Sequence, residues 1–200
     1  MSKHAKTHYK IHKHLVTRWS PRSFANKPVE TEKLHRLFEA ARWAASSYNE
    51  QPWRFIVARK ENSAAFEKAI GCLLEANQAW AKNASMLILT AISTSFAKNG
   101  KPNRVAIHDL GLAIGNMTHQ ATEDGLYLHQ MAGVDLQKVR DAYQIPDGFE
   151  PVTAIAVGYL GNENDLPEDW MREQEAAERT RKGFNEIVFG QTWGEASDLF

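Results

Sequence analysis

Two short apolar runs, residues 86–92 and 154–160, do most to limit what this chain of 200 residues can become. Each is far shorter than the ~18 residues a membrane span requires, so neither is a candidate to cross a bilayer and the chain reads as soluble. Residues 86–92 fit a strand buried on both faces, and residues 152–160 form a second strand candidate. Between and around them the apolar period changes to that of a helix. Ile11 and Leu15 suit a short amphipathic helix over residues 9–17 that stops before Pro21. Thr31 can cap a second helix whose stripe is Leu34, Leu37, Phe38 and Ala41. A turn-rich loop at residues 46–52 leads into a strand at residues 54–58. A third helix is predicted over residues 63–80, with Phe66, Ile70 and Leu73 or Leu74 inward. From Val105 to Asp124, Leu110, Ile114, Met117 and Ala121 recur at helical spacing, and Gly111 and Gly115 are placed to permit a close helix crossing. A short helix at residues 135–143, an acidic helix from about Pro167 and a terminal strand at residues 187–189 complete the pattern. Helices against one small mixed sheet, an α+β domain covering residues 1–200, is the architecture this order supports. Residues 1–12 are expected to be a flexible basic N-terminus.

Charge and cysteine content narrow the function. Lys plus Arg and Asp plus Glu both number 24, which removes the broad positive footprint expected of a nucleic-acid binder. The single cysteine, Cys72, cannot form an intrachain disulfide, and with no secretory signal in view a reducing, cytoplasmic setting is expected. Cys72 sits on an apolar helix face and reads as a packed thiol, not a nucleophile. His4, His8, His12 and His14 cluster, but no carboxylate occurs in the first 29 residues to complete a metal site, so a solvated basic helix is the better reading. No Gly-x-Gly-x-x-Gly follows a strand, no Walker loop occurs, and no Gly-x-Ser-x-Gly elbow exists for acyl transfer.

Three separated clusters share donors suited to a planar, anionic ligand. Arg18, Ser20 and Arg22 alternate in residues 18–24, so an extended backbone can aim all three at one phosphate. Asn49 and Gln51 place amide donors and acceptors in the loop before the first strand, the chemistry that reads the edge of a heterocycle. Arg179, Thr180, Arg181 and Lys182 follow the acidic helix. Each alone also fits a solvated turn or charge run.

In order, the segments RWSPRSF from Arg18, AASSYNEQPWRF from Ala44, HDLGLAIGNMTHQATEDGL from His108, AIAVGYLG from Ala154 and RTRKGFNEIVFGQTWG from Arg179 resemble the flavin-dependent nitroreductase family. The resemblance runs from about Lys13 to Trp193. It implies an α+β homodimer with FMN in each of two clefts between subunits. By matching position, Arg18, Trp19, Ser20 and Arg22, with Arg181 and Lys182, would hold the phosphate end. Ser46, Ser47 and Asn49 would come from the partner chain, with Gln51 supporting their loop, and Asn77 would read the polar edge of the ring. Gln130, Met131, Ala132 and Gly133 correspond to the loop whose backbone faces the reactive ring nitrogen; relatives often carry an acid where Ala132 stands. No catalytic side chain and no metal is implied, because the flavin carries the chemistry. NADH or NADPH would deliver two electrons and a nitroaromatic, quinone or similar small-molecule acceptor would then take them, by a ping-pong mechanism. Residues 183–200 would cross over to add a strand to the partner's sheet. A flavin-binding or ligand-sensing protein without turnover is the alternative from another class. Reductive dehalogenases, enoate-type reductases and flavin reductases share the resemblance.

Overall fold

Both apolar runs become the central strands of one sheet, in a computed structural model that describes residues 3–200. The strands are β1 (Trp53–Arg59), β2 (Met86–Ser93), β3 (Tyr127–Met131) and β4 (Phe149–Gly158), in the order β1-β2-β4-β3. Every pairing is antiparallel, which corrects the expectation of a mixed sheet. Successive side chains of β2 alternate between two cores: Met86, Ile88 and Ile92 on one face, Leu87 and Leu89 on the other. The one polar residue in this run, buried Thr90, sits where the β2–β4 register shifts, and its hydroxyl is satisfied by Thr153 at 2.9–3.0 Å.

Six of the seven α-helices among the described residues cover the two faces. On the first lie α2 (Thr31–Arg42) and α5 (Ala106–Glu123), whose Leu34, Leu37 and Ala41 meet Leu110, Ala113, Ile114 and Met117. On the second lie α3 (Ser63–Ile70), α4 (Glu75–Ala81), α6 (Leu136–Tyr143) and α7 (Asp169–Ala176), contributing Phe66, Trp80, Val139 and Met171. The short α1 (Lys13–Thr17) buries nothing and rests on the C-terminal end of α5 through His14 and Glu123. Among the described residues no helix is long and apolar enough to cross a membrane.

Several boundaries differ from the sequence reading, each because tertiary pairing outcompetes a local tendency. The helix predicted over residues 63–80 is broken between Ile70 and Glu75, where Leu73 bridges Val134, Leu74 N–H donates to Gly133 O and Asp135 N–H donates to Cys72 O. Residues 129–131, expected in a loop, belong to β3, drawn into the sheet by the free edge of β4. Helix α1 starts at Lys13 and not Tyr9, and Glu30, not Thr31, is the N-cap of α2. Residues 187–189 form no strand within the chain; Phe184–Glu186 is a 3-10 turn, and Phe189 makes a single bridge to Ala196. Phe184 and Phe200 stack at 4.1 Å and Tyr9 packs against both, while Ile187, Trp193 and Leu199 stay exposed. Of the basic residues 1–12, Met1 and Ser2 lie outside the described residues. The rest of that segment is tied to the chain's end by a Lys6–Glu178 ion pair and by Arg179, which donates to Lys3 O.

Candidate functional site

Residues 18–24 leave α1 and run beside β3, and their backbone is fixed from Pro21 to Ser23. His129 on β3 donates from Nδ1 to Pro21 O at 2.9 Å. Glu175 accepts from Arg22 N and Ser23 N, Ser23 Oγ donates to Asn162 O at 2.6 Å, and Gly161 N–H donates to Ser23 O at 3.0 Å. Gly161 must be glycine, since a Cβ there would lie 2.6 Å from the Phe24 carbonyl carbon and the Ser23 hydroxyl. Trp19 packs edge-on against Tyr127, and Ser20 is half-buried beside it.

The side chains carried by this rigid segment are short of anions. Arg18 Nε is buried without a hydrogen-bond partner among the described residues. Burial first, and then the neighbouring cations Arg179 and Arg181, push the Arg18 guanidinium below its ordinary value. Burial likewise lowers Arg22, against the opposing pull of Glu175. Arg179 is spoken for, donating to Lys3 O and Val16 O, whereas Arg181 and Lys182 are exposed and Arg181 bonds only its neighbour's carbonyl. Arg18, Arg179 and Arg181 are thus close enough for their charges to disfavour one another, with no carboxylate among the described residues there to offset the repulsion.

At the far end of β3, Gln130 and Ala132 are exposed and Met131 is buried. Asn77 Nδ2 donates to Gly133 O at 3.1 Å, and a Cβ on Gly133 would stand 2.5 Å from that nitrogen, so the side chain of Asn77 braces this turn. Gln130 and Met131 thus follow directly on β3 from His129, the residue that holds Pro21 O.

Ser46, Ser47 and Asn49 are elsewhere. Their loop holds three non-glycine residues in the left-handed region, Tyr48 (φ 53°), Asn49 (φ 56°) and Gln51 (φ 52°), each at a cost of order 1 kcal/mol. It persists because buried Asp109 accepts from Ser47 N at 3.1 Å, Ser46 Oγ accepts from Gln51 N at 3.0 Å and Glu50 accepts from Ala97 N at 2.8 Å. Asp109 opens α5 and Glu123, which meets His14 beside Arg18, closes it. Fourteen residues of helix separate the two by ~21 Å. One chain therefore places Arg18 near the Glu123 end of α5 and leaves Ser46, Ser47 and Asn49 at the Asp109 end.

Sequence reasoning missed Glu175, Asp109 and His129. The two carboxylates are buried acceptors for backbone N–H groups, and a charged residue on a helix reads by default as solvated. His129 is pushed down to about 4, chiefly by burial and also by Arg22 and Arg18, while its bonds to the Pro21 and Ser20 backbone oppose the shift. It is thus neutral at pH 7, with the proton on Nδ1 facing Pro21 O. Because the folded value lies below the unfolded ~6.5, the unfolded chain binds the extra proton. Stability contributed by neutral His129 is present above pH ~6.5 and is lost as pH falls toward 4, about 3 kcal/mol in all. The difference in unfolding free energy between wild type and His129→Gln, followed by urea titration from pH 7.5 to 4.5, should shrink with that slope; a pH-independent difference would refute the assignment.

Comparison with known proteins places the chain in a family. A profile described as the nitroreductase family matches residues 15–159. The chain belongs to the nitroreductase family. A crystal structure described as an oxidoreductase containing FMN superposes on this nitroreductase with a TM-score of 0.89 at 32% identity, covering 96% of this chain and 98% of its own. An uncharacterized 15.4 kDa protein of Mycolicibacterium smegmatis is 31% identical over 147 residues, 70% of this chain and 97% of that one. The major NAD(P)H-flavin oxidoreductase of Aliivibrio fischeri is 25% identical over 224 residues, 91% of this chain and 98% of that one. The matched span includes the Arg18–Arg22 segment, the 46–51 loop, α5 and β3, and ends before α7 and the tail.

Proposed function

We propose that this nitroreductase is an NAD(P)H-dependent flavin oxidoreductase that binds FMN in two clefts of a homodimer. It passes two electrons from NADH or NADPH to a nitroaromatic, quinone or similar conjugated acceptor. The observation that carries the reading is the buried, unpartnered Nε of Arg18 beside Arg179 and Arg181. A dianionic phosphate ester supplies the missing acceptors, and each charge-assisted bond contributes about 1.5–3 kcal/mol. Arg18, Ser20, Arg22 and Arg181, with Trp19 and Lys182 beside them, would hold that phosphate. Backbone groups of Gln130, Met131, Ala132 and Gly133 would line the ring end, with Asn77 bracing the turn. FMN when bound supplies the two-electron chemistry, for which no side chain in the cleft need act as nucleophile.

Dimerisation closes the cleft. The outer face of α5 presents Ile107 (61% exposed), Gly111, Leu112 (41% exposed) and Gly115, and among the described residues nothing beyond the neighbouring backbone of α5 itself lies within 4 Å of where a Cβ would sit on either glycine. A second α5 crossing antiparallel at these glycines sets the Asp109 end of one helix beside the Glu123 end of the other. Ser46, Ser47 and Asn49 of each subunit then reach the arginine cluster of its partner, across the ~21 Å that separates them within one chain. The exposed apolar tail, residues 183–200, adds to the same interface by crossing over. The free, buried thiol of Cys72 suits a reducing cytoplasm.

Donor and acceptor use the cleft in turn, so double-reciprocal plots at several fixed acceptor concentrations should be parallel. The protein as purified should be yellow and release FMN, not FAD, on denaturation. Anaerobic NADPH or NADH should bleach it and a quinone should restore the colour. Intersecting lines would reject the shared cleft. Bound flavin that neither nucleotide bleaches would mark a flavin-binding protein without turnover.

A further inference from the structure

Arg22 is gripped twice by α7, a helix beyond the span that the family profile matches. At the backbone, Glu175 accepts from Arg22 N with both carboxylate oxygens, at 3.2 and 3.0 Å, and from Ser23 N at 3.1 Å. Glu175 is 2% exposed, and among the described residues no ammonium or guanidinium lies within ion-pair distance of it. A buried carboxylate is expensive unless its lone pairs are met, and here two peptide N–H groups of one short segment meet them. At the other end of the same residue, the Arg22 guanidinium lies 5.4 Å over the ring of Trp170, in cation–π contact. No hydrogen bond restrains that guanidinium among the described residues, so the Trp170 ring is what orients its plane. Its N–H edge is left free for an external acceptor.

We propose that Glu175 and Trp170 are positioning residues through which α7 presets Arg22 for the phosphate of the cofactor. The proposal rests on the FMN reading above and adds to it. Other contacts already hold the rest of the segment: His129 on Pro21 O, Asn162 on the Ser23 hydroxyl, and Gly161 on Ser23 O. Only α7 fixes both the root and the tip of Arg22. The two α7 residues therefore act on the phosphate end of the cleft and leave the ring end, at residues 130–133, untouched.

Riboflavin, which is FMN without the phosphate, separates this role from a structural one. Binding of FMN and of riboflavin to the flavin-stripped dimer is measured by fluorescence quenching for wild type, Trp170→Ala, Glu175→Ala and Glu175→Gln. Trp170 is 41% exposed, so its replacement leaves the core intact. Trp170→Ala is expected to weaken FMN 3- to 10-fold, and Glu175→Ala tenfold or more, with riboflavin within twofold of wild type in both. Glu175→Gln keeps an acceptor oxygen and should recover most of the FMN affinity. Unchanged FMN affinity in Trp170→Ala and Glu175→Ala overturns the proposal, as does a parallel loss of FMN and riboflavin. Should Glu175→Ala fail to fold, Trp170→Ala decides. A wild-type protein that binds riboflavin as tightly as FMN overturns the phosphate reading itself, and the role of α7 with it.

Discussion

Arg18→Met should weaken FMN binding about 10- to 100-fold while raising the melting temperature of the flavin-free protein. The two effects have opposite signs because the same group is involved in both states. Without an anion, Arg18 is a half-buried cation with an unsatisfied Nε, close enough to Arg179 and Arg181 for their charges to disfavour its own. Methionine keeps the length and apolar body of the side chain and removes both the unmet donor and the repulsion. A gain of about 1 kcal/mol, or some 2–4 °C in a chain of this size, is the expected return. With the phosphate present, the same substitution deletes a charge-assisted bond of about 1.5–3 kcal/mol, which gives the affinity loss. Scanning calorimetry with and without added FMN reads both. A variant that melts several degrees lower without flavin, or binds FMN within twofold of wild type, would show that Arg18 is a structural residue.

Ile107→Glu combined with Leu112→Glu should leave a folded, colourless monomer. Both side chains project from the outer face of α5 and belong to neither core, so the single chain does not need them. Across a two-fold axis near Gly111 and Gly115, the carboxylate introduced at position 112 meets its own symmetry copy and the one introduced at 107 is buried against the far end of the partner's α5, so association costs both repulsion and desolvation. Light scattering gives the mass, circular dichroism the fold and absorbance at flavin wavelengths the cofactor. A dimer, or a monomer that still retains FMN, would contradict a cleft built from both chains.

The features legible in the sequence were those whose cause is local. Residues 86–92 and 154–160 are almost wholly apolar, which marks them as interior strand, and all but Tyr159 and Leu160 lie in the two middle strands of the sheet. The α5 stripe repeats over five turns, long enough for periodicity to fix its buried face. The 46–52 loop is legible through its Ser, Asn and Pro, though not the left-handed backbone of Tyr48, Asn49 and Gln51, which only the anchors at Asp109 and Ala97 explain. Illegible features were those decided by partners distant in sequence. The stretch 71–74 abandons its helix for contacts with residues 133–135, and β3 forms because β4 offers an edge. Within Arg179-Thr180-Arg181, composition gave no means of telling the arginine that ties down Lys3 and Val16 from the one left exposed. Glu175 was hidden most completely, since an acidic helix gives no sign that one of its carboxylates points inward.

In the proposed dimer, the length of α5 also decides how damage to one chain is passed on to the assembly. A lesion in the arginine cluster and a lesion in the Ser46–Asn49 loop sit at opposite ends of one chain, but in a dimer closed across α5 they belong to different clefts. When one subunit carries the first lesion and its partner the second, both defects fall in the same cleft. The other cleft is assembled from two undamaged halves. Two chains that are each inert with their own kind can thus make one working site between them.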